Sequence, residues 1–340
     1  MGRKRKILLI ATGGTIASTQ TESGLKPLIS PGQILGYIPN ITEFCEVDTI
    51  LLCNIDSTNM EPEHWSLIVS CIRKNYEKYD GFVIAHGTDT MAYTAAALSY
   101  MIQNSEKPIV LTGSQRPIQS EITDAKTNLF DSFLYAADEK SQGVQIIFDG
   151  KVIAGTRAKK MRSKSFNAFS SIDFPYLGAI QGNYIIRYLP QQPYGEEVRF
   201  YEKMEKKVHL MKLFPGIQGD GLEYYFDAYD CIIVESFGVG GIPESVSDAF
   251  YRLSKRYPDT IVVMATQVTH EGSDVSVYEV GQKIKADCGF LESYDMTLES
   301  VFAKMMWICS NFDFSSKKQT EDLFYKCINY DFMFEERVLK

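Results

Sequence analysis

The chain has 340 residues, 45% hydrophobic and 23% charged, with a formal charge of −8. That length exceeds what one hydrophobic core usually serves, the composition excludes extensive disorder, and the acidic surplus disfavours extended nucleic-acid binding. Seven cysteines without a Cys-x-x-Cys pair read as small buried hydrophobes of a reducing compartment, and four histidines without zinc spacing argue against a metal site.

The first predicted element follows the basic start Met1–Lys6. The run Ile7–Ala11 is too short for the core of a signal peptide and predicts a buried strand. No apolar run approaches the ~20 residues of a membrane span, so no membrane span and no membrane partner are expected. Further strands are predicted at Val47–Cys53, Phe82–His86, Ile109–Thr112 and Val144–Phe148. All are rich in Ile, Val or Leu without strict alternation, the pattern of parallel strands buried on both faces. Between them, Trp65, Ile68, Val69, Ile72 and Tyr76 form a helical stripe within Pro62–Tyr79, and Met91, Ala95, Leu98 and Ile102 form another. On composition alone, the basic run Arg157, Lys159, Lys160, Arg162 and Lys164 reads as a solvated loop. The polar, turn-rich stretch Tyr188–Lys207 interrupts the alternation and predicts a linker. Strands resume at Val208–Leu213, Cys231–Glu235 and Ile261–Ala265, with helices at Pro243–Tyr257, Thr297–Cys309 and from Ser315 to about Asn329. The expected fold is α/β in two domains. Residues 1–190 form a larger domain on a mostly parallel, doubly wound sheet, 191–206 a linker, and 207–340 a smaller α/β domain.

Ligands of open parallel sheets gather outside the carboxyl ends of the strands. Here those ends carry Thr12-Gly13-Gly14-Thr15, Asp56-Ser57-Thr58-Asn59, His86-Gly87-Thr88-Asp89-Thr90 and Thr112-Gly113-Ser114-Gln115. Hydroxyls, glycines and carboxylates in this arrangement make a polar floor suited to a small polar ligand. Helix capping is the competing explanation for one residue among Thr88, Asp89 and Thr90, and for Ser57 or Asn59 before Pro62. A nucleotide cofactor is not expected, since Gly-x-Gly-x-x-Gly is absent.

Two of these segments carry a family likeness. Ala11-Thr-Gly-Gly-Thr-Ile-Ala17 and Gly81-Phe-Val-Ile-Ala-His-Gly-Thr-Asp-Thr-Met-Ala-Tyr93 resemble the two signatures of the bacterial-type L-asparaginases. Val110-Leu-Thr-Gly-Ser114, Arg157-Ala-Lys-Lys160, Ser236-Phe-Gly-Val-Gly-Gly-Ile-Pro243 and Asp295-Met-Thr297 extend the resemblance, in order, along nearly the whole chain. Met-Ala-Tyr after Thr-Asp-Thr and the lack of a signal peptide favour the cytoplasmic, type I branch.

The resemblance implies hydrolysis of L-asparagine to L-aspartate and ammonia, with glutamine a poor substrate and no cofactor. Thr15 matches the nucleophile, and Thr88, Asp89 and Lys160, rather than the neighbouring Lys159, match a second triad. Ser57 and Thr58 match groups that hold the substrate's α-carboxylate, Asp89 the group that takes its α-ammonium, and Gly14 and Thr88 backbone contacts to the substrate. Ser114 would offer a carbonyl to the amide nitrogen. The chemistry suits these residues: a threonine hydroxyl needs a base, a lysine serves as one only when neutral, and backbone N–H groups near Thr88 and in the Gly13-Gly14 turn would hold the oxyanion. The order of attack between Thr15 and Thr88 stays open, with Thr15 preferred. A β-aspartyl-enzyme and a homodimer or homotetramer also follow from the likeness, with Gly240, Gly241 and Asp295 approaching a neighbour's site.

Three departures accompany it. Leu25 stands where the family's mobile loop carries a tyrosine. Glu235 and Val268 occupy positions where some type I enzymes place the arginine and cysteine of an allosteric asparagine site, so cooperativity is expected to be absent. Phe237 replaces a motif tyrosine. An amidase subunit of tRNA-dependent amidation is a near alternative, disfavoured by how close Thr15 lies to the start. A nucleotide-dependent oxidoreductase and a catalytically silent amino-acid sensor are more distant ones.

Overall fold

The computed structural model describes residues 3–333 apart from 22–23, 28, 192, 206 and 278–288. The side chain of Leu25 and all of Cys288 lie outside the described residues. The chain divides into two compact units, Met1–Glu202 and Lys203–Lys340.

Unit 1 is built on one eight-stranded sheet. Strands β1 (Arg5–Gly13), β2 (Cys45–Ile55), β3 (Gly81–Ala85), β4 (Pro108–Thr112) and β5 (Gly143–Phe148) pair in parallel in the order β5-β4-β3-β1-β2. Antiparallel strands β6 (Lys151–Ala154), β7 (Gly178–Gln181) and β8 (Tyr184–Arg187) continue it beyond β5. β1, β3, β4 and β5 are almost wholly buried, as unbroken Ile/Val/Leu runs require. β2 corrects the expectation for Val47–Cys53. It is the edge strand, paired on one side only, and its Leu51 is 54% exposed. The strand order reverses between β1 and β3, because β2 lies on one flank of β1 and β3 on the other. Such a switch point opens a crevice at the carboxyl ends of the two strands.

Helices α1 (Pro62–Asn75), α2 (Met91–Met101) and α3 (Ala125–Ala136) link these strands. α1 starts at a capping box formed by Glu61 and His64 with proline in its first turn, and it buries Trp65, Ile68, Val69 and Ile72. Capping therefore does not explain Ser57 or Asn59. Nor does it explain the Thr88–Thr90 run: Thr90 is the N-cap of α2, yet its hydroxyl caps nothing and donates to the Ser57 carbonyl at 2.8 Å. The basic run is not a solvated loop throughout. Arg157 is fully buried with its guanidinium 5.3 Å from the Phe174 ring, and Ala158–Lys160 pairs with Phe169–Ser171 as a short hairpin.

Unit 2 holds a parallel four-stranded sheet of β9 (Val208–Lys212), β10 (Cys231–Ser236), β11 (Ile261–Thr266) and β12 (Leu291–Glu292). Helices α4 (Leu222–Ala228), α5 (Glu244–Arg256), α6 (Leu298–Asn311) and α7 (Lys317–Phe324) accompany it. The last is shorter than the stretch from Ser315 to Asn329, and Ser316 caps its start by accepting from the Gln319 N–H. Leu222, Phe226, Ile232, Val246, Phe250 and Met264 belong to one buried cluster. On α6, Lys304 is fully buried with Asp331, at 2.6 Å, and also donates to the Lys326 carbonyl at 2.8 Å.

Candidate active site

The crevice at the β1/β3 switch is closed down by backbone touching backbone. Gly14 has φ 79°, where a side chain is strained, and a Cβ there would fall 2.5 Å from both N and Cα of Gly87. A Cβ on Gly87 would in turn meet the Ser57 Oγ at 2.5 Å. Glycine at both positions lets the turns after β1, β2 and β3 meet, so Thr15, Ser57 and Thr88 follow or form one contact. Among the described residues, the N–H groups of Thr15 and Thr88 and the Thr15 hydroxyl have no protein partner.

Thr88 and Asp89 converge on Lys160, which reaches them from the end of the hairpin strand 158–160. Lys160 Nζ donates to Thr88 Oγ1 at 2.8 Å and to Asp89 Oδ1 at 2.6 Å. The lysine side chain is 16% exposed and the aspartate 57%, so the pair faces an opening. Such a group can hold a substrate cation on the free side of the carboxylate and pass a proton between lysine and hydroxyl.

His86 supports this turn from below. It is fully buried, and its Nδ1 donates to the Gly87 carbonyl at 2.7 Å. The tautomer follows, because a carbonyl can only accept, which leaves Nε2 to accept from the Thr94 hydroxyl at 3.0 Å. Thr94 accepts in turn from the Trp65 indole N–H at 3.0 Å. Every group in this chain is satisfied with a neutral imidazole, and burial pushes the His86 pKa down to about 4. His86 is thus a scaffold of the turn and no acid or base at neutral pH.

Two anticipated contacts are arranged differently. Gly14 cannot give its N–H to an oxyanion, because that group donates to the Ile55 carbonyl at 3.1 Å. A register shift between Ala11 and Gly13 in the β1–β2 ladder places it there. Thr58 lies beside Ser57 but turns outward, its N–H and hydroxyl both donated to Asp56 Oδ1 at 2.9 and 3.0 Å. Ser114 is buried, its hydroxyl on the Arg116 carbonyl, and among the described residues no group donates to its own carbonyl. One neighbour was not singled out by sequence reasoning: Gln115, whose Oε1 accepts from the Thr88 hydroxyl at 3.1 Å.

Known proteins resemble this chain along most of its length. The family model "Asparaginase, N-terminal" matches residues 6–192. The chain belongs to the asparaginase family. The family's "Glutaminase/Asparaginase C-terminal domain" model matches residues 207–324, and the chain is an amidohydrolase of that family. It is 37% identical over 304 residues to an L-asparaginase of Thermococcus kodakarensis, covering 89% of this chain and 92% of that protein. It is 32% identical to L-asparaginase 1 of Escherichia coli, over 91% and 93% of the two chains. It is also 34% identical to a glutamyl-tRNA(Gln) amidotransferase component of Pyrococcus abyssi, over 89% of this chain and 72% of that one. Among solved structures, the T. kodakarensis L-asparaginase superposes with a TM-score of 0.90 at 33% identity, covering 97% of this chain and 100% of that one. L-asparaginase I of Vibrio cholerae superposes with a TM-score of 0.84 at 28% identity, covering 98% and 100%. No helix among the described residues is long and apolar enough to cross a membrane.

Proposed function

We propose that this asparaginase-family chain hydrolyses the side-chain amide of free L-asparagine, with Thr15 as nucleophile and L-glutamine as a poor substrate. The observation that carries the reading is the Lys160–Thr88–Asp89 cluster, open to solvent at the switch-point crevice that Thr15 borders.

In this reading Asp89 receives the α-ammonium and the Ser57 hydroxyl the α-carboxylate. Thr15 Oγ1 attacks the amide carbon, and the oxyanion forms against the N–H groups of Thr15 and Thr88. The threonine proton passes by way of the Thr88–Lys160 pair, with neutral lysine as base, to the departing nitrogen. The C–N bond breaks, ammonia leaves, and a β-aspartyl ester remains on Thr15. Water adds to that ester, its C–O bond breaks, aspartate leaves, and the hydroxyl regains its proton. A homodimer or homotetramer in the cytoplasm is the working form we expect.

Ammonia release from L-asparagine and L-glutamine by purified protein tests this, beside Thr15→Ala. Asparagine turnover well above glutamine turnover, lost in the variant, is the expected result. A folded wild type that releases ammonia from glutamine alone would point to the amidotransferase-type relatives, and one inert toward both would end the reading.

A further inference from the structure

We infer that Gln115 is a positioning residue, which fixes the Thr88 hydroxyl relative to Lys160 by clamping Thr88 to the loop that follows Lys160. This rests on the proposed roles of Thr88 and Lys160.

The two ends of the Gln115 amide are not interchangeable here. Nε2 donates to the carbonyls of Arg162 and Ser165, at 3.4 and 3.2 Å. Two carbonyls need N–H donors, so the oxygen end must face Thr88. The orientation is dictated by its partners. In the resting site the single proton of the Thr88 hydroxyl then points at Gln115 Oε1 and a lone pair faces Lys160 Nζ; rotation about the Thr88 Cβ–Oγ1 bond, with the oxygen held in place, turns that proton to the neutral lysine when the base acts. An amide takes no proton at working pH, so Gln115 orients the hydroxyl and does not titrate.

The contacts close a ring. Thr88 bonds Lys160; the chain runs two residues on to Arg162; Arg162 and Ser165 bond Gln115; Gln115 bonds Thr88. Without Gln115, Thr88 and the 160–165 segment are joined at this point through the Lys160 bond itself. The clamp has a firm base, since the Gln115 and Arg116 N–H groups both donate to the Asp124 carboxylate, which Asn128 also bonds. Gln115 touches neither Ser57 nor Asp89 by any hydrogen bond among the described residues, so its loss should spare substrate binding. Charged neighbours are Lys160 and Asp89 across Thr88, Asp124 behind the backbone, and Arg116 and Arg162 in the adjoining segments.

Two variants test the clamp through steady-state asparagine hydrolysis across pH. Gln115→Met keeps the volume and removes all three side-chain hydrogen bonds. It should lower kcat about fivefold at every pH with KM within about twofold, the scale of one lost positioning hydrogen bond. Gln115→Glu carries its own control. Protonated, its O–H replaces the N–H toward a loop carbonyl and its C=O still accepts from Thr88; ionised, it opposes two carbonyl oxygens. Its kcat relative to wild type should therefore approach parity at acid pH and fall as pH rises, reversibly in one sample. Wild-type kcat in the Met variant, or a flat Glu-to-wild-type ratio across pH, would overturn the inference. Failure of wild type itself to hydrolyse asparagine would instead remove the reading beneath it.

Discussion

Among the described residues, two lysine–aspartate pairs share the same 2.6 Å separation and have opposite characters. In unit 2, Lys304 and Asp331 are both 0% exposed. Their remaining capacity is spent locally, on the Lys326 carbonyl and on the Ile328 N–H, which Asp331 accepts at 2.8 Å. Burial lowers the Lys304 pKa despite the adjacent carboxylate, so desolvation outweighs the attraction. In unit 1, Lys160 and Asp89 keep an open side, and the lysine also touches a hydroxyl that can react. Distance does not separate a fastening from a working pair. What separates them is the unused capacity of the ions and the chemistry of the third partner.

Replacing the two lysines should break the molecule in different ways. Lys160→Met should lower kcat for asparagine by about 10³-fold or more, the upper range for losing a general base, with little change in thermal midpoint. Lys304→Met should destabilise by about 3–5 kcal/mol in denaturant titration, since it strands a buried carboxylate. The apolar double replacement Lys304→Met with Asp331→Leu should recover most of that loss, and a double variant no more stable than the single would show that the ion pair is a net stabiliser. The third and smallest effect sharpens the contrast from below the working pair. Folded His86 takes a proton only near pH 4 and the unfolded chain near 6.5, so its share of stability is full above 6.5 and drains away as pH falls toward 4. The loss is roughly 3 kcal/mol at its limit. Denaturant midpoints at pH 7 and pH 5 check it, and His86→Gln should show the shallower fall.

The parts of the site legible in sequence are those fixed by main-chain geometry. Buried runs gave the strand positions and the strand ends gave the floor, because each depends on residues near one another in the chain, whereas the contact of Gly14 on Gly87 joins turns 73 residues apart and emerges only in the fold. The edge position of β2 was only hinted at, by Asp48 and Thr49 inside a run whose counterparts in β1 and β3 are wholly apolar, and pairing order exposes it. The outward turn of Thr58 had a local signal. Asp56 two residues before it is placed for an Asx turn, which competes for the same N–H. Gln115 had none: its partners lie 27, 47 and 50 residues away, and nothing in its own segment distinguishes it from a loop residue. The Gly14 N–H goes to the Ile55 carbonyl because of a two-residue slip in the β1–β2 ladder, which is decided by packing and not by the local sequence.

The contact of Gly14 on Gly87 and of Gly87 on Ser57 also limits how this site can diversify. Open α/β enzymes commonly acquire new specificities by lengthening or exchanging the turns at their strand ends. Here three such turns share one contact, so an insertion in any of them displaces the other two. New preferences have to enter through the side chains around that contact, with the lengths of the turns left as they are.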